Sequence, residues 1–330
     1  MALEFGFTGD VMLGRLVDRR QRHRPPEAVW GNMLSRMQGL DGLVINLECC
    51  LSTRGRRWQR THRPFHFRAD PNWAIPALRR TGVDCCALAN NHVLDYEEVA
   101  LSDTLEALDD AKIAGTGAGM NRDLALDPAV FSMGDLRVAV ISFTDNLPEY
   151  AATETTPGTA HIDVDVDDPE TRSMIRTALS RAADADPALV VASLHWGPNM
   201  VERPSPAFQR FGRWLLDQEV DVVHGHSAHV FHGIEVVDGG VIIYDAGDYV
   251  DDYAVDDELR NDRSFLFVLE CTGDGRPAHL RLEPIEIYDA AVHKAGPGPA
   301  SWSRERMRRR TREFDTTFDR DGEALIIDLS

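Results

Sequence analysis

Three histidines, His224, His226 and His229, lie within six positions of the stretch VVHGHSAHV, directly after an apolar run. Histidine is the side chain that most often binds metals in proteins, and it is also the usual general base near neutral pH. One such stretch does not distinguish metal binding from acid–base catalysis or from a purely structural function. The chemistry depends on whether other segments deliver similar side chains to the same place.

Polar residues of similar chemistry follow five predicted strands. The strand ends read Gly9-Asp10, Asn46-Leu47-Glu48, Asn90-Asn91-His92, His195-Trp196-Gly197 and His224-Gly225-His226-Ser227-Ala228-His229. In open α/β sheets ligands bind at the carboxyl edge of the strands, so we expect these side chains to converge. Oxygen and imidazole donors without a thiolate suit Mn, Fe or Zn in a hydrolytic site. His224 is the exception, because we expect it to pack in the core.

The elements that must position these residues alternate between strands and helices. Apolar, β-branched runs predict strands over 3–9, 42–48, 83–90, 136–143, 188–196, 220–225 and 240–247. Helical spacing of apolar residues predicts helices over 97–115, 167–185 and 206–220. From about residue 264 the pattern predicts antiparallel strands, a loop AGPGPAS, a basic helix over 302–314 and a short final strand. The alternation indicates an α/β architecture.

Composition narrows the classes of partner. The 330 residues carry a formal net charge of −19, which repels phosphate backbones and anionic lipids, so we expect neither a nucleic acid nor a membrane surface as partner. We identify no signal peptide, membrane segment or nucleotide-binding motif, and therefore expect a cytoplasmic protein. The five cysteines fit neither a disulfide framework nor a zinc-ribbon spacing. The oligomeric state is not predicted.

Several motifs together resemble the CapA family, which is named for poly-γ-glutamate capsule biosynthesis. They are TGDVMLGR (8–15), INLECCLS (45–52), ANNHVLDY (89–96), LHWGPN (194–199), GHSAHVFHGIEV (225–236) and YDAGDYVDDY (244–253). The family is similar in fold to the calcineurin-like metallophosphatases. The resemblance therefore implies an α-β-β-α sandwich of two mixed sheets flanked by helices. We expect residues 1–290 to form this domain, and residues 291–330 to pack on it as a loop, a basic helix and a short strand.

The resemblance also implies a set of site residues. The metal ligands would be Asp10, Glu48, Asn91, His195 and His226. His92 would stabilise charge in the transition state, with Asp10 and His195 as further catalytic residues. His229 and Asp248 would contact substrate. Arg63 and Arg68, in the basic and aromatic segment RGRRWQRTHRPFHFR (54–68), would grip an anionic substrate group.

Departures from the phosphatase pattern leave one metal, or none, as the expectation, and they leave the reaction open. The first motif lacks a D-x-H histidine, the second reads N-L-E, and the last reads H-x-x-H. The main hypothesis is a metal-dependent hydrolase or transferase acting on an acidic peptide or a phosphoester in envelope-polymer biosynthesis. One alternative is a metal-independent peptide epimerase, in which Asp10 and a histidine such as His293 exchange a proton at an α-carbon. A further alternative is a non-catalytic scaffold of a polymer-export assembly.

Overall fold

The computed structural model describes residues 2–329, which form twenty strands, eight α-helices and three short 3-10 helices. The strands are β1 (Leu3–Val11), β2 (Gly42–Leu47), β3 (Cys50–Leu51), β4 (Arg68–Ala69), β5 (Cys85–Ala87), β6 (Ala114–Thr116), β7 (Ala118–Gly119), β8 (Ala129–Met133), β9 (Leu136–Thr144), β10 (Gly158–Thr159), β11 (Leu189–His195), β12 (Val222–His226), β13 (Ile234–Val237), β14 (Gly240–Ile243), β15 (Asp248–Val250), β16 (Arg263–Cys271), β17 (Pro277–Tyr288), β18 (Ala291–Lys294), β19 (Asp319–Asp321) and β20 (Ala324–Asp328). The helices are α1 (Arg15–Gln21), α2 (Leu34–Met37), α3 (Pro71–Thr81), α4 (Glu97–Ala111), α5 (Arg122–Ala125), α6 (Pro169–Ala183), α7 (Pro206–Leu216) and α8 (Pro297–Thr311).

Two mixed sheets form the centre of the molecule. The larger sheet runs β19-β20-β17-β16-β1-β2-β5-β6, with β15 beside β1 and β18 beside β17. Its half from β1 to β6 is parallel, whereas β16, β17, β18, β19 and β20 pair antiparallel. The second sheet runs β13-β14-β12-β11-β9-β8 and is parallel from β14 to β9. Strands from residues 291–328 thus complete the larger sheet.

Three apolar layers hold the sheets and helices together. The middle layer lies between the sheets and includes Phe5, Val140 and Phe267. A second layer packs α3 and α4 on the outer face of the larger sheet, and a third packs α6 and α7 on the outer face of the smaller one. The predicted α-β-β-α sandwich is therefore confirmed. Strands covered on both faces explain why their sequences are near-continuously apolar.

The basic helix begins earlier than the sequence analysis predicts. α8 starts at Pro297, inside the segment AGPGPAS that reads as a loop. Proline at the first helical position loses no hydrogen bond there, and its fixed φ suits the helix, so Gly and Pro in this segment mark a helix start. Among the helices in residues 2–329, none combines the length and the apolar character that a membrane crossing requires.

A close backbone approach fixes the end of β1. A Cβ atom added to Gly9 would lie 1.9 Å from the carbonyl oxygen of Gly247, so only glycine fits between β1 and the loop before β15. The next residue along the chain, Asp10, donates its backbone N–H to the same carbonyl at 2.8 Å. Asp10 is therefore held near the end of β1, beside the segment that leads from β14 of the smaller sheet to β15 of the larger one.

Candidate metal centre

Strand register brings the predicted residues to one edge. In the larger sheet Asp10 lies opposite Asn46 of β2 on one side and Asp248 of β15 on the other. In the smaller sheet His195, at the end of β11, lies opposite His226, at the end of β12. All five side chains are fully or almost fully buried. The carboxyl edges of both sheets thus face one small polar volume.

Asp10 lies at the centre of this volume. Its Oδ1 accepts a hydrogen bond of 2.6 Å from the amide of Asn46 and lies 3.5 Å from Nδ1 of His226 and 3.9 Å from Nδ1 of His195. Its Oδ2 lies 3.5 Å from Nδ1 of His229. One oxygen of this carboxylate therefore faces two histidines, and the other oxygen faces a third.

Glu48 supplies a second carboxylate. Its Oε2 accepts a hydrogen bond of 3.0 Å from the Tyr253 hydroxyl. Its Oε1 lies 3.9 Å from Nε2 of His92 and 3.9 Å from Nε2 of His195. This oxygen faces the same volume as Asp10, from the end of β2.

Two groups of side chains have the spacing that a metal ion requires. In each group, one ligand atom per residue lies within 4.8 Å of the others. The groups are Asp10, His195 and His226, and Asp10, Glu48 and His229. Asp10 belongs to both groups, so its carboxylate would be a ligand of a cation held by either one.

Unsatisfied polar atoms test whether a cation fits. Within residues 2–329, Oδ2 of Asp10, Oε1 of Glu48, Nε2 of His195 and Oδ2 of Asp248 are buried without a hydrogen-bond partner. Buried polar atoms are normally paired, and four unpaired ones in one volume call for a ligand. Carboxylate oxygens and imidazole nitrogens are the donors that Mn, Fe and Zn accept, so the residues fit such a cation.

A chain of hydrogen bonds assigns the proton positions on two histidines. Nε2 of His224 donates to the carbonyl of Thr8 at 2.8 Å, so its Nδ1 accepts from the Ser193 hydroxyl at 3.2 Å. The Ser193 oxygen then accepts from Nε2–H of His226 at 2.9 Å. Nδ1 of His226 therefore carries the lone pair, and it lies 3.0 Å from Nδ1 of His195 and 3.5 Å from Oδ1 of Asp10. This tautomer leaves Nδ1 as the nitrogen through which His226 would bind a metal.

Burial sets the protonation states of the centre. Burial raises the pKa of Asp10 to about 6, although nearby His229 acts in the opposite direction. Burial and the adjacent Asp10 raise the pKa of Glu48 well above its usual range. Burial holds the pKa values of His195 and His226 well below the usual value, so both are neutral and able to bind a cation. A divalent cation would offset the repulsion between the two carboxylates.

His92 belongs to a separate hydrogen-bonded pair beside the cluster. Its Nδ1 lies 2.5 Å from Oδ2 of Asp95, and its ring stacks on Phe67 with centroids 3.8 Å apart. Because the carboxylate can only accept, Nδ1 carries the proton and Nε2 faces Glu48. Burial lowers the pKa of His92, and Asp95 opposes that effect.

Comparisons with known proteins decide the family. Residues 4–253 match the family described as Bacterial capsule synthesis protein PGA_cap. A probable polyglutamine synthesis accessory protein of Mycobacterium tuberculosis is 31% identical over 350 residues, covering 93% of this chain and 90% of that protein. This chain belongs to the PGA_cap family.

Two further relatives carry the CapA name. The capsule biosynthesis protein CapA of Bacillus anthracis is 27% identical over 321 residues, covering 92% of this chain and 76% of that protein. The PGA biosynthesis protein CapA of Bacillus subtilis is 25% identical over 319 residues, covering 96% of this chain and 78% of that protein. The predicted resemblance to CapA proteins is thereby confirmed for most of the chain.

The structure gives Asn91 a different surrounding from the other predicted ligands of this PGA_cap protein. The amide of Asn90, not Asn91, donates to Oδ1 of Asn46 at 3.1 Å and so joins the network around Asp10. Oδ1 of Asn91 is buried without a partner, and its backbone carbonyl accepts from Arg63 at 2.6 Å. Asn91 therefore stays a predicted ligand, whereas Asn90 has a visible structural function.

His229 and Asp248 form a pair inside the centre. Nδ1 of His229 lies 2.8 Å from Oδ1 of Asp248, and the ring packs against Tyr253 with centroids 4.9 Å apart. Burial opposes protonation of His229, but Glu48 and Asp10 together raise its pKa. His229 is thus a candidate ligand with Asp248 as its hydrogen-bonding partner, and contact with substrate stays a prediction for both.

The two predicted arginines differ in exposure. Arg63 is buried, bonds to the backbone of Asn91, and lies 3.4 Å from Oδ1 of Asp95. It therefore holds the segment 54–68 against the centre. Arg68 is partly exposed, donates to the carbonyl of Arg54 at 2.8 Å, and lies 3.9 Å above the ring of Tyr96. Of the two, Arg68 is the one that solvent can reach.

His293 is not brought to the cluster. It lies on β18, where its ring stacks on Tyr288 with centroids 3.8 Å apart. A Cβ atom on Gly31 would lie 2.5 Å from its Nδ1. Within residues 2–329, no hydrogen bond, ion pair or ring contact joins His293 to Asp10. The two-base arrangement gains no support from these contacts.

Sequence reasoning missed several residues that position the centre, namely Asn46, Asn90, Ser193, Asp95 and Tyr253. Asn46 and Asn90 lie in the very strand ends that drew attention to their neighbours, and Asp95 follows His92 by three positions in ANNHVLDY. Tyr253 ends the motif YDAGDYVDDY. Ser193 carries no such signal, because its contact with His226 depends on the register of β11 against β12.

Proposed function

We propose that this chain is a metal-dependent hydrolase that acts on an acidic peptide or a phosphoester in the synthesis of poly-γ-glutamate or a related envelope polymer. The observation that carries the proposal is the shared position of Asp10 in both ligand groups, with unpaired ligand atoms around it. The pathway rests on membership of the PGA_cap family and on the names of its relatives.

The ligand residues would hold the cation from both sheets. Asp10, His195 and His226 form one group, and Glu48 and His229 complete the other with Asp10. A divalent cation bound there would act as a Lewis acid on a phosphoryl or carbonyl oxygen and lower the pKa of water. Asn46 keeps Oδ1 of Asp10 in place by its 2.6 Å hydrogen bond.

His92 would move the proton. Asp95 holds Nδ1–H, so Nε2 is the atom that accepts a proton from an attacking group or, once protonated, returns it to a leaving group. The lowered pKa of His92 favours the neutral, accepting form. Phe67 covers one face of the ring and limits the access of water to it.

Hydrolysis of a generic phosphodiester and of a γ-glutamyl peptide in the presence of Mn²⁺ tests the proposal. His195→Ala should lose bound metal and activity together while its melting temperature changes by only a few degrees. His279→Ala is the matched control, because His279 is exposed on β17. Full activity in excess chelator, with no metal by elemental analysis, would reject the proposed chemistry.

A further inference from the structure

A basic cleft opens beside the candidate metal centre. Its volume is about 620 Å³, within the range of small-molecule sites. Five arginines line it, namely Arg15, Arg19, Arg22, Arg57 and Arg68, together with His66, Ser52, Thr53 and Tyr96. Among residues 2–329, Asp18 and Asp70 are the carboxylates that line it. This concentration of positive charge stands out in a chain whose net charge is −19.

The two carboxylates of the cleft already have hydrogen-bonding partners within the protein. Asp18 accepts from the indole of Trp73 at 2.8 Å and from the backbone N–H of Asp70 at 3.0 Å, and it also pairs with Arg22. Asp70 caps α3 through the N–H of Asn72 at 2.9 Å. These acids therefore organise the wall of the cleft, and its five arginines still outnumber its two carboxylates.

Two of the arginines have no partner of their own. Arg19 and Arg57 are exposed, and within residues 2–329 no hydrogen bond or ion pair joins either of them to a carboxylate. A guanidinium presents a planar fork of donors that matches a carboxylate bidentately. Two unpaired guanidinium groups in one cleft are suited to a ligand that carries more than one negative charge.

Arg15 connects the cleft to the metal centre. Its guanidinium lies 5.5 Å from the ring of Phe67 and 5.8 Å from that of Tyr253. Phe67 stacks on His92, and the Tyr253 hydroxyl bonds to Glu48. Phe67 and Tyr253 thus contact both Arg15 of the cleft and residues of the candidate metal centre.

The backbone of this connection is constrained. Arg15 has a φ of +52°, in the left-handed region that non-glycine residues adopt rarely. A Cβ atom on Gly14 would lie 2.8 Å from the backbone nitrogen of Arg68, so β4 packs directly against this turn. Asp252 holds the Arg15 guanidinium at 3.1 Å. Arg15 and Arg68 both line the cleft and come from segments that contact each other at Gly14.

We infer that the cleft binds successive carboxylates of an acidic chain whose reacting group lies at the metal centre. The arginines support the binding site itself, whereas the choice of a polycarboxylate chain rests on the proposed function. The acidic remainder of the surface disfavours a nucleic acid as the polyanion. Arg19 and Arg57 would contact the part of the chain farthest from the reacting atoms, and Arg15 the part nearest to them.

Direct binding tests the inference without turnover. A fluorescently labelled oligo-γ-glutamate is titrated with the full chain in chelator, and its anisotropy gives the dissociation constant. Arg19→Gln/Arg57→Gln should weaken binding about tenfold, because each lost fork removes a charge-assisted pair. Arg309→Gln/Arg312→Gln is the matched control, since both arginines are exposed at the end of α8 and its neighbouring turn. It should change the dissociation constant by less than about twofold.

Three outcomes would overturn the inference. The first is an unchanged dissociation constant in Arg19→Gln/Arg57→Gln, and the second is an equal loss of affinity in this variant and in the control variant. The third is that an inorganic polyphosphate of equal charge displaces the probe and binds with a lower dissociation constant than unlabelled oligo-γ-glutamate. Because binding is measured in chelator, absence of binding would contradict only the inference about the cleft. Absence of metal-dependent hydrolysis by the wild-type chain would speak only against the proposed function.

Discussion

The hydroxyl oxygen of Ser193 lies 2.9 Å from Nε2 of His226 and accepts its proton. Through this bond a residue in the interior of β11 decides which nitrogen of a strand-end histidine is free to bind a metal. Ser193 in turn donates to His224, whose other nitrogen donates to the carbonyl of Thr8 in the larger sheet. The tautomer of His226 is therefore set by the packing of one sheet on the other.

Ser193→Ala should weaken metal binding about tenfold, because residues that orient a ligand histidine typically contribute 10–100-fold to affinity. Isothermal titration with Mn²⁺ measures this. Ser142→Ala is a matched control, since Ser142 lies opposite Ser193 on β9 and its buried hydroxyl has no partner. Equal affinities in the two variants would contradict the proposed function of the hydrogen-bonded chain.

Asp95→Asn should lower the rate of hydrolysis about 10²-fold while the bound metal stays in place, because a positioned acid–base group contributes about that much. The charge of Asp95 raises the pKa of His92, so its removal should shift the limb of the pH–rate profile that reports His92 to lower pH. A pH–rate profile with parallel elemental analysis measures both effects. The control Asp110→Asn, on the exposed face of α4, should leave the pH–rate profile unchanged. If Asp95→Asn has the same pH–rate profile as the wild-type chain, His92 does not act in the mechanism.

Glu48→Gln should change stability with opposite signs in two conditions. In chelator above neutral pH the variant should be more stable by roughly 1 kcal/mol, because it removes a buried charge beside Asp10. With Mn²⁺ the wild-type chain should gain more stability than the variant, since a cation that binds only the folded state stabilises it. Urea unfolding measures both, with the exposed Glu106→Gln as control. A variant that is less stable in chelator would show that Glu48 is not strained by its neighbours.

His232 gives a pH-dependent prediction away from the centre. It is buried, its Nε2 donates to the carbonyl of Val201 at 2.8 Å, and burial lowers its pKa to about 4. The unfolded chain then binds more protons between about pH 4 and about pH 6.5, so the stabilising contribution present above this window is lost as the pH falls through it. Between about pH 7 and about pH 5 the loss is about 2 kcal/mol.

His232→Gln keeps a donor for Val201 but cannot titrate. Its free energy of unfolding should therefore fall by about 2 kcal/mol less than that of the wild-type chain over the same pH interval. The exposed His23→Gln is the control and should follow the wild type. Parallel pH dependence of all three proteins would mean that folding does not lower the pKa of His232.

The sequence predicted the parts of the fold that repeat a local rule. Apolar runs indicated the central strands, and polar residues at their ends indicated that Asp10, Glu48, His195 and His226 meet at one edge. The start of α8 was misplaced, because Gly and Pro favour loops and helix starts alike. Contacts between residues on neighbouring strands could not be predicted. The contacts of Ser193 and the choice of Asn90 for the bond to Asn46 depend on strand register and turn geometry that no local pattern encodes.

The central claim is that Asp10 is shared by two cation positions, and metal stoichiometry tests it most directly. After reconstitution with Mn²⁺ and removal of excess metal, elemental analysis should give about two cations per wild-type chain, as in two-metal hydrolytic sites. His229→Ala should keep about one, because His195 and His226 remain with Asp10, whereas Asp10→Ala should keep almost none. A wild-type chain that binds no Mn²⁺, Fe²⁺ or Zn²⁺, or an Asp10→Ala variant that retains the wild-type amount, would contradict the account.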